Sequence, residues 1–418
     1  MKQTFKKVFL LNLLLFSGLN AQSLTLTQAI EMALDYHPDV KVFKLKQAQS
    51  KESVSISRSE YLPQLSFNAE YDPIKTYVLP QNGTFHTKDE QGWHAGVVLK
   101  QKIWDFEKTT SAIDASKLQN SIDALNLKNA KASLALKVKT QYALMLVQQE
   151  AIEVRKKDLQ TKKELYDQAQ ALVKLGMKTE ADASRFLSSY YIAKNNLSIS
   201  HANYEKARQT LELYIGQKLE NNVVLETSVL YKELNITPLF SEVEHENPQL
   251  LATLESVKKS DALYTSIHAA HFGSIDAVAS YDHQDTLNEY DAKVLGISAT
   301  IPLYVGGRIS AQAQQAALRT QEQKEHYNAQ KISLQTEFES LLIDLARYTQ
   351  TIAAKKAQLE ASQATKKVLD ARYKEGVSTY IEVLDATALY LDAELGLLEA
   401  YYSKSTIINT LTYLKGEF

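Results

Sequence analysis

Glu382 and Asp385 stand three residues apart in a stretch that reads as helix, so both carboxylates leave one face. Such a pair can gather cations. Each also has a plainer role. Glu382 follows Thr379 by three and would complete a helix cap, and Asp385 would be a solvated charge near a helix N-terminus. His268 and His271 are also three apart, with His283 beyond them, but no carboxylate pattern accompanies them and the metal signature is weak. The chain has no P-loop, dinucleotide fingerprint, G-x-S-x-G or H-E-x-x-H. Cysteine is absent, which removes disulfides, thiol chemistry and cysteine metal sites together. No acid and base pair up in a setting that suggests a cleft, so the expectation is a non-enzyme without cofactor or bound metal.

Composition sets the class of molecule that must position these residues. There are 47 basic and 49 acidic side chains in 418 residues, so no field of one sign points to nucleic acid. Gly (13) and Pro (7) are scarce, while Ala, Leu, Lys, Gln, Ser and Glu dominate, which favours long helices. The 23 tyrosines are many for such a chain; an amphipathic ring is favoured at a membrane interface. The N-terminus has the layout of a signal peptide over residues 1–21. Lys2, Lys6 and Lys7 precede the apolar run Val8 to Leu15, broken only by Asn12, and small Ala21 precedes the expected cut. No Cys follows that cut, which excludes lipid attachment there. No later segment has the roughly twenty apolar residues of a membrane-spanning helix. The mature chain is expected outside the cytoplasm, as a soluble protein or a β-barrel.

The chain is written twice. Gly176 precedes Gly376 by 200 positions, and at the same offset Lys174, Thr179, Tyr190, Leu211 and Gly216 match Lys374, Thr379, Tyr390, Leu411 and Gly416. Upstream the offset becomes 210, placing Pro38 on Pro248 and Tyr71-Asp72 on Tyr281-Asp282. The ten-residue difference falls between Asp72 and Lys102, as a surface loop would. One unit, 22–216, is thus expected to recur as 237–418 across a linker at 217–236.

Each unit opens with two helices around Pro38 or Pro248. Strict alternation follows: Leu65, Phe67, Ala69 and Tyr71 point one way, Gln64, Ser66, Asn68 and Glu70 the other. That period of two predicts a strand with one apolar and one polar face. Its hairpin partner reads Trp93, Ala95, Val97, Leu99, breaks at Gln101 and resumes at Ile103. The second hairpin alternates over Ile275–Tyr281 and Leu295–Leu303. The expected loops are Pro73–Gln91 and His283–Asp291. Phe106 to Ile215 and Arg308 to Lys415 then contain no Pro, and the Gly at 176 and 376 falls where a helix should end. Thr179-x-x-Asp182 and Thr379-x-x-Glu382 read as caps that restart the chain. About seventy residues of helix span roughly 100 Å, too long for a compact globule.

Four strands of about ten residues suit a tilted membrane crossing, yet an open four-stranded sheet in lipid leaves its edges unpaired. Closure therefore requires more than one copy. A soluble α+β protein with two amphipathic hairpins packed on helices is the other reading of the strand pattern, and a periplasmic coiled-coil protein is a third.

Several segments resemble the TolC-type outer-membrane efflux proteins: Leu24-Thr25-Leu26-Thr27-Gln28-Ala29-Ile30, His37-Pro38, Tyr61-Leu62-Pro63-Gln64-Leu65 and Ile301-Pro302-Leu303-Tyr304-Val305-Gly306-Gly307-Arg308. The stretch Tyr373 to Ala386 is similar to the family's second hairpin tip. The resemblance covers nearly the whole mature chain. It implies a mainly α fold with a transmembrane β-barrel: four strands per chain, a twelve-stranded barrel in a homotrimer, and helical hairpins forming a periplasmic tunnel. It implies an outer-membrane exit duct for drugs, metals or other small molecules, working with a periplasmic adaptor and an inner-membrane transporter, or alternatively the outer component of a type I protein-secretion system. It places Glu382 and Asp385 at the periplasmic aperture and Tyr373 with Asp182 in a gate tether. Leu175, Gly176, Thr179, Glu375, Gly376 and Thr379 become candidate adaptor contacts. The best-described tether in the family adds an Arg where this chain has Ser378, so the resemblance implies a weaker or differently latched gate here.

Overall fold

The computed structural model describes residues 23–81, 83–220, 223–231 and 239–418. The expected signal peptide and part of the expected linker lie outside these residues. In chain order the elements are β1 (Ser23–Leu24), α1 (Leu26–Tyr36), α2 (Pro38–Ser59), β2 (Gln64–Gln81), β3 (Thr84–Trp104), α3 (Lys108–Lys174) and α4 (Glu180–Ile215). They continue as β4 (Val224–Leu225), a 3-10 turn (Thr227–Tyr231), α5 (Phe240–Glu246), α6 (Pro248–Ala269), β5 (Ser274–Asp285), β6 (Glu289–Thr300), α7 (Arg308–Lys374) and α8 (Tyr380–Leu414). Duplication is visible in the lengths: α2 and α6 both have 22 residues, and α3 and α7 both have 67. Pro38 and Pro248 open α2 and α6, with His37 and Asn247 as caps, because proline's missing N–H costs nothing at a helix start.

Strands β2, β3, β5 and β6 form one antiparallel sheet in that order. Directly paired residues share a face, so the register sorts the side chains. Leu65, Leu99, Ala279 and Leu295 form one cross-sheet row, and Phe67, Val97 and Tyr281 belong to the next on the same face. Asn68, Gly96, Asp282 and Ala292 lie on the other face. The apolar face has no cover: Phe67 is 69% exposed and Leu295 89%. On β2 the apolar positions run from Leu65 towards Tyr71; on β6 they run from Leu295 away from Lys293 through Ile297 and Ala299, with exposed Ile301 and Leu303 just past the strand end. The apolar band therefore crosses the strands obliquely.

The strands outrun the expected turns. Pairing continues past Asp72 through Lys75↔Glu90 and Thr76↔Asp89 to Gln81↔Thr84, so most of Pro73–Gln91 is ribbon and not loop. The first pairs there are polar, with Thr76 Oγ1 donating to Asp89 at 2.6 Å, and the apolar residues beyond run consecutively from Tyr77 to Pro80, so neither stretch shows the period of two that marks a strand. The register shifts between Asp72 and Lys75, around Pro73, which has no N–H to give a ladder. Likewise His283–Asp291 is mostly paired strand, turning only between Asp285 and Glu289. The break in alternation at Gln101 marks a real irregularity, a register shift between Lys102 and Trp104.

Below the sheet, α3 packs along α2, α4, α6 and α8, and α7 along α6 and α8. The largest core joins α1, α3 and α4 to the short parallel pair β1–β4. Fully buried Tyr142 holds it: its hydroxyl donates to the Leu24 carbonyl and accepts from the Glu226 N–H, both at 2.7 Å. Burial pushes that phenol up from its ordinary value.

Sheet and helix are joined by the same device in both units. Gly306 and Gly307 take left-handed φ values of 63° and 76°; at the equivalent places Phe106 and Glu107 take 56° and 73°. Glycine adopts this conformation freely and an L side chain does not. Phe106 has a compensation, since its ring packs 5.5 Å from that of Phe272. Exposed Glu107 makes no cap bond at its helix start. Glu107→Gly should therefore stabilise the protein and Gly307→Ala destabilise it, each by about 1 kcal/mol. Thermal melting of the detergent-solubilised variants reads both signs, and equal signs would refute the account.

Candidate functional site at the helical tips

Helices α3 and α7 end identically. Gly176 (φ 71°) donates to the Val173 carbonyl at 2.9 Å while Met177 N–H reaches back to Leu172 at 2.9 Å. Gly376 (φ 76°) and Val377 repeat this onto Tyr373 and Arg372 at 3.0 and 2.9 Å. Both are left-handed glycine stops that satisfy two terminal carbonyls each. Three residues after each glycine the chain restarts on reciprocal caps. Thr179 Oγ1 accepts from the Asp182 N–H, and the Asp182 carboxylate accepts from the Thr179 N–H at 3.0 Å. Thr379 and Glu382 do the same, with the Glu382 carboxylate 2.7 Å from the Thr379 nitrogen. Those bonds hold the Glu382 carboxyl below its usual value. Asp385 lies one turn further, also exposed. The two carboxylates thus share a helix face, and Glu382 is engaged in its own cap.

A small core binds the two tips to each other. It contains Leu165, Ala169 and Leu172 of α3, Ala183 and Phe186 of α4, Tyr373 of α7 and Val383 of α8. Tyr373 is 0% exposed, its ring edge-on to Phe186 at 5.4 Å. Its hydroxyl has no hydrogen-bond partner. Burial first, and the Asp182 charge second, push that phenol up. Tyr373 and Asp182 are thus brought to one place, but the Asp182 carboxylate is taken by Thr179.

The residue that bridges the tips is Lys178. Its ammonium lies 5.4 Å from the Tyr373 ring centroid and donates to the Ser378 carbonyl at 3.3 Å. Lys178 and Ser378 are equivalent positions of the two units, each two residues after its tip glycine. The basic side chain lacking at the second tip stands at the first. Reading the 200-residue offset position by position would have found it. Leu175, Met177 and Val377 are exposed beside Gly176, Thr179, Glu375 and Thr379, while Gly376 is half-buried against Met177.

A charged cluster lies above the tips, around a cavity of about 370 Å³ between α3, α7 and α8. Lys366 and Asp370 of α7 are 2.6 Å apart. Asp158 and Lys162 of α3 are each 7% exposed. One carboxylate oxygen of Asp158 and one of Asp370 is buried without a hydrogen bond. Burial pushes Asp158 up, against the pull of Lys162, Arg155 and Lys366, and pushes Lys162 down, against the pull of Asp158.

The histidines gather no metal site. His268 and His271 have rings 5.6 Å apart among Tyr264 and Phe272, while His283 sits on β5 and bonds Asp291 at 2.9 Å. Among the described residues no three His, Asp or Glu side chains cluster as metal ligands.

The sequence profile described as outer membrane efflux protein matches residues 29–217 and again 239–417. The outer membrane protein TolC of Escherichia coli (strain K12) is 24% identical over 414 residues, 93% of this chain and 81% of the relative. The proteases secretion protein PrtF of Dickeya chrysanthemi is 22% identical over 333 residues, 76% of this chain and 72% of the relative. The open-state crystal structure of the Neisseria gonorrhoeae MtrE outer membrane channel superposes with a TM-score of 0.80 at 21% identity, covering 94% of this chain and 89% of the other.

Charged Asp158 opposes folding because its carboxyl is raised by burial, so protonation relieves a cost as pH falls through that raised value. Asp158→Asn should melt at or above the wild-type temperature at neutral pH, and the two proteins should converge on acidification. A variant less stable at pH 7, with a gap that persists in acid, would show the charge to be favourable.

Proposed function

The chain belongs to the outer membrane efflux protein family, and on that premise we propose that three copies close their sheets into one twelve-stranded barrel continued by a helical tunnel. The protein is an outer-membrane channel-tunnel that spans into the periplasm and works with an inner-membrane pump in a tripartite efflux system. It is a passive conduit, not an enzyme. The observation that supports closure by neighbouring copies is the four-stranded sheet whose edges, β2 and β6, pair with no other described strand and whose apolar face is exposed; the number three rests on the family. In lipid each unpaired backbone group costs several kcal/mol, and a neighbouring copy's edge removes that cost. The oblique apolar band fits strands that cross the hydrocarbon layer at a tilt. Tyr71 and Trp93, paired across β2 and β3 at the end of that band, suit the headgroup level.

The expected signal peptide fits export to this location. The polar sheet face lines the lumen, and Glu382 and Asp385 form two rings of negative charge at the periplasmic aperture under threefold symmetry. The tips, exposed Leu175, Gly176, Thr179, Glu375 and Thr379 with half-buried Gly376, meet the periplasmic adaptor. Tyr373 and Asp182 belong to the gate, with Lys178 as the clamp between tips. The cargo is drugs, metals or other small molecules selected by the inner-membrane transporter. Protein secretion is the second reading, favoured by the relative named for protease secretion.

Two measurements test this. The protein should fractionate with outer membranes as a heat-modifiable oligomer of three copies. In planar bilayers, hexamminecobalt on the tip side should block current, and Glu382→Gln with Asp385→Asn should weaken that block at least tenfold; an undiminished block places the cation site elsewhere. Lys178→Ala and Tyr373→Ala should each raise the closed-state current, whereas Tyr373→Phe, which keeps the ring, should not. Unchanged current in both alanine variants would remove these residues from the gate.

A further inference from the structure

The charged cluster above the tips lies inside one copy. The cavity of about 370 Å³ at its centre is walled by Asp158 of α3, Lys366 and Asp370 of α7, and Thr387, Tyr390 and Glu394 of α8. Asp158 and Lys162 are each 7% exposed, buried by helices of their own chain. The duplication gives the composition of the other seam. In the proposed trimer α7 of one copy meets α4 of the next as α3 meets α8 here. At the 200-residue offset Asp158, Lys162, Lys366 and Asp370 become Gln358, Ser362, Tyr166 and Gln170. The four charges therefore belong to the seam within a copy, and uncharged residues take their places between copies.

No ion pair ties this seam shut. Lys366 and Asp370 pair at 2.6 Å along α7 itself. Asp158 and Lys162 stand one turn apart on α3, and around the cavity no ion pair joins α3 to α7 or α8 among the described residues. One oxygen of each aspartate is buried without a hydrogen-bond partner. Asp158 feels Lys162 and Arg155 of its own helix and Lys366 of α7; Lys162 feels Asp158, Lys366 and Asp370. Lys157 and Lys367 also line the cavity, and on α8 Glu394 acts on Tyr390. α4, also packed on α3, contributes no charge to either buried group. For both, burial outweighs these charges. Closing the seam thus takes an anion and a cation out of water and returns no bond between the helices.

We infer that α3 and the α7–α8 pair of one copy form an acid-closed seam, the place where the hairpins part when the duct opens. It rests on the gate reading above only in taking parted hairpins for the open duct. Parting returns Asp158 and Lys162 to water and to their ordinary titration. Between the raised value of Asp158 and the lowered value of Lys162 both are charged in either arrangement, and the closed seam alone bears the cost. As pH falls through the raised value, the closed seam takes up a proton before the open one and gains. As pH rises through the lowered value, the closed seam releases a proton first and gains again. The seam is therefore loosest between the two values and tightens in acid, while the uncharged equivalents between copies do not respond.

The chain contains no cysteine, so one introduced thiol reports alone. Thr387, 2% exposed on the cavity wall, is the place for it. Thr387→Cys should react with a maleimide only when the seam parts, and Thr365→Cys, exposed on α7, corrects for the thiol's own titration. In the detergent-solubilised protein the corrected rate should fall about threefold or more from about pH 8 to about pH 5. Adding Asp158→Asn should make labelling slow and level across that range. Adding Lys162→Met, which removes a cation that favours charged Asp158, should move the fall to higher pH, a shift that a merely structural role would not produce. An unchanged profile in either variant overturns the inference, as does a rate that rises in acid. In planar bilayers the wild-type current should fall with the labelling. Labelling that behaves as expected without a parallel current keeps the seam and sinks the gate reading alone.

Discussion

Strands β2 and β6 each end the sheet with a row of backbone N–H and C=O groups that no other described segment meets. In water such an edge is tolerable; in hydrocarbon it is not, because nothing there replaces the missing bonds. The apolar face between those edges is equally uncommitted, with Leu65, Phe67 and Leu295 left largely exposed by the described residues. An uncovered face calls for lipid and an unpaired edge calls for another strand. Neighbouring copies in a membrane, as proposed above, would meet both demands, and the membrane address of the family agrees with them.

The helices carry that requirement over a long distance. Helices of 67 residues cannot be held straight by a single compact core, and three separate cores divide the task. The first anchors α1 and β1–β4 to the middle of α3 through Tyr142, the third joins α5 and α6 to α7 and α8, and the second ties the tips. Gene duplication explains why the two halves solve each local problem alike: proline starts, glycine stops and reciprocal caps recur. Where the halves differ, the difference is informative. Glycines in one unit and Phe106-Glu107 in the other make the same left-handed turn, which places the backbone path above side-chain comfort as the thing retained.

Charge is distributed by position along the tube. At the tips, exposed carboxylates stand beside a lysine that spans the two hairpins. Above them a buried mixture of Asp158, Lys162, Lys366 and Asp370 is only partly satisfied, a state that costs stability.

Much of the architecture was legible in the residues. Alternation set the faces of the strands, the absence of Pro and Gly set the long helices, and the two offsets set the duplication. Glycine and threonine marked the tips, since these signals act within a few residues. The extra ribbon through Gln81 and Thr84 left no signal because its polar pairs near Thr76 and its consecutive apolar run Tyr77–Pro80 do not alternate with a period of two. Lys178 escaped because its partners, Tyr373 and the Ser378 carbonyl, lie about two hundred residues away, and no local rule couples such positions. The burial of Tyr373 without a hydroxyl partner was likewise decided by tertiary packing. Chain order determines which groups exist; only the folded arrangement determines which of them are already spoken for.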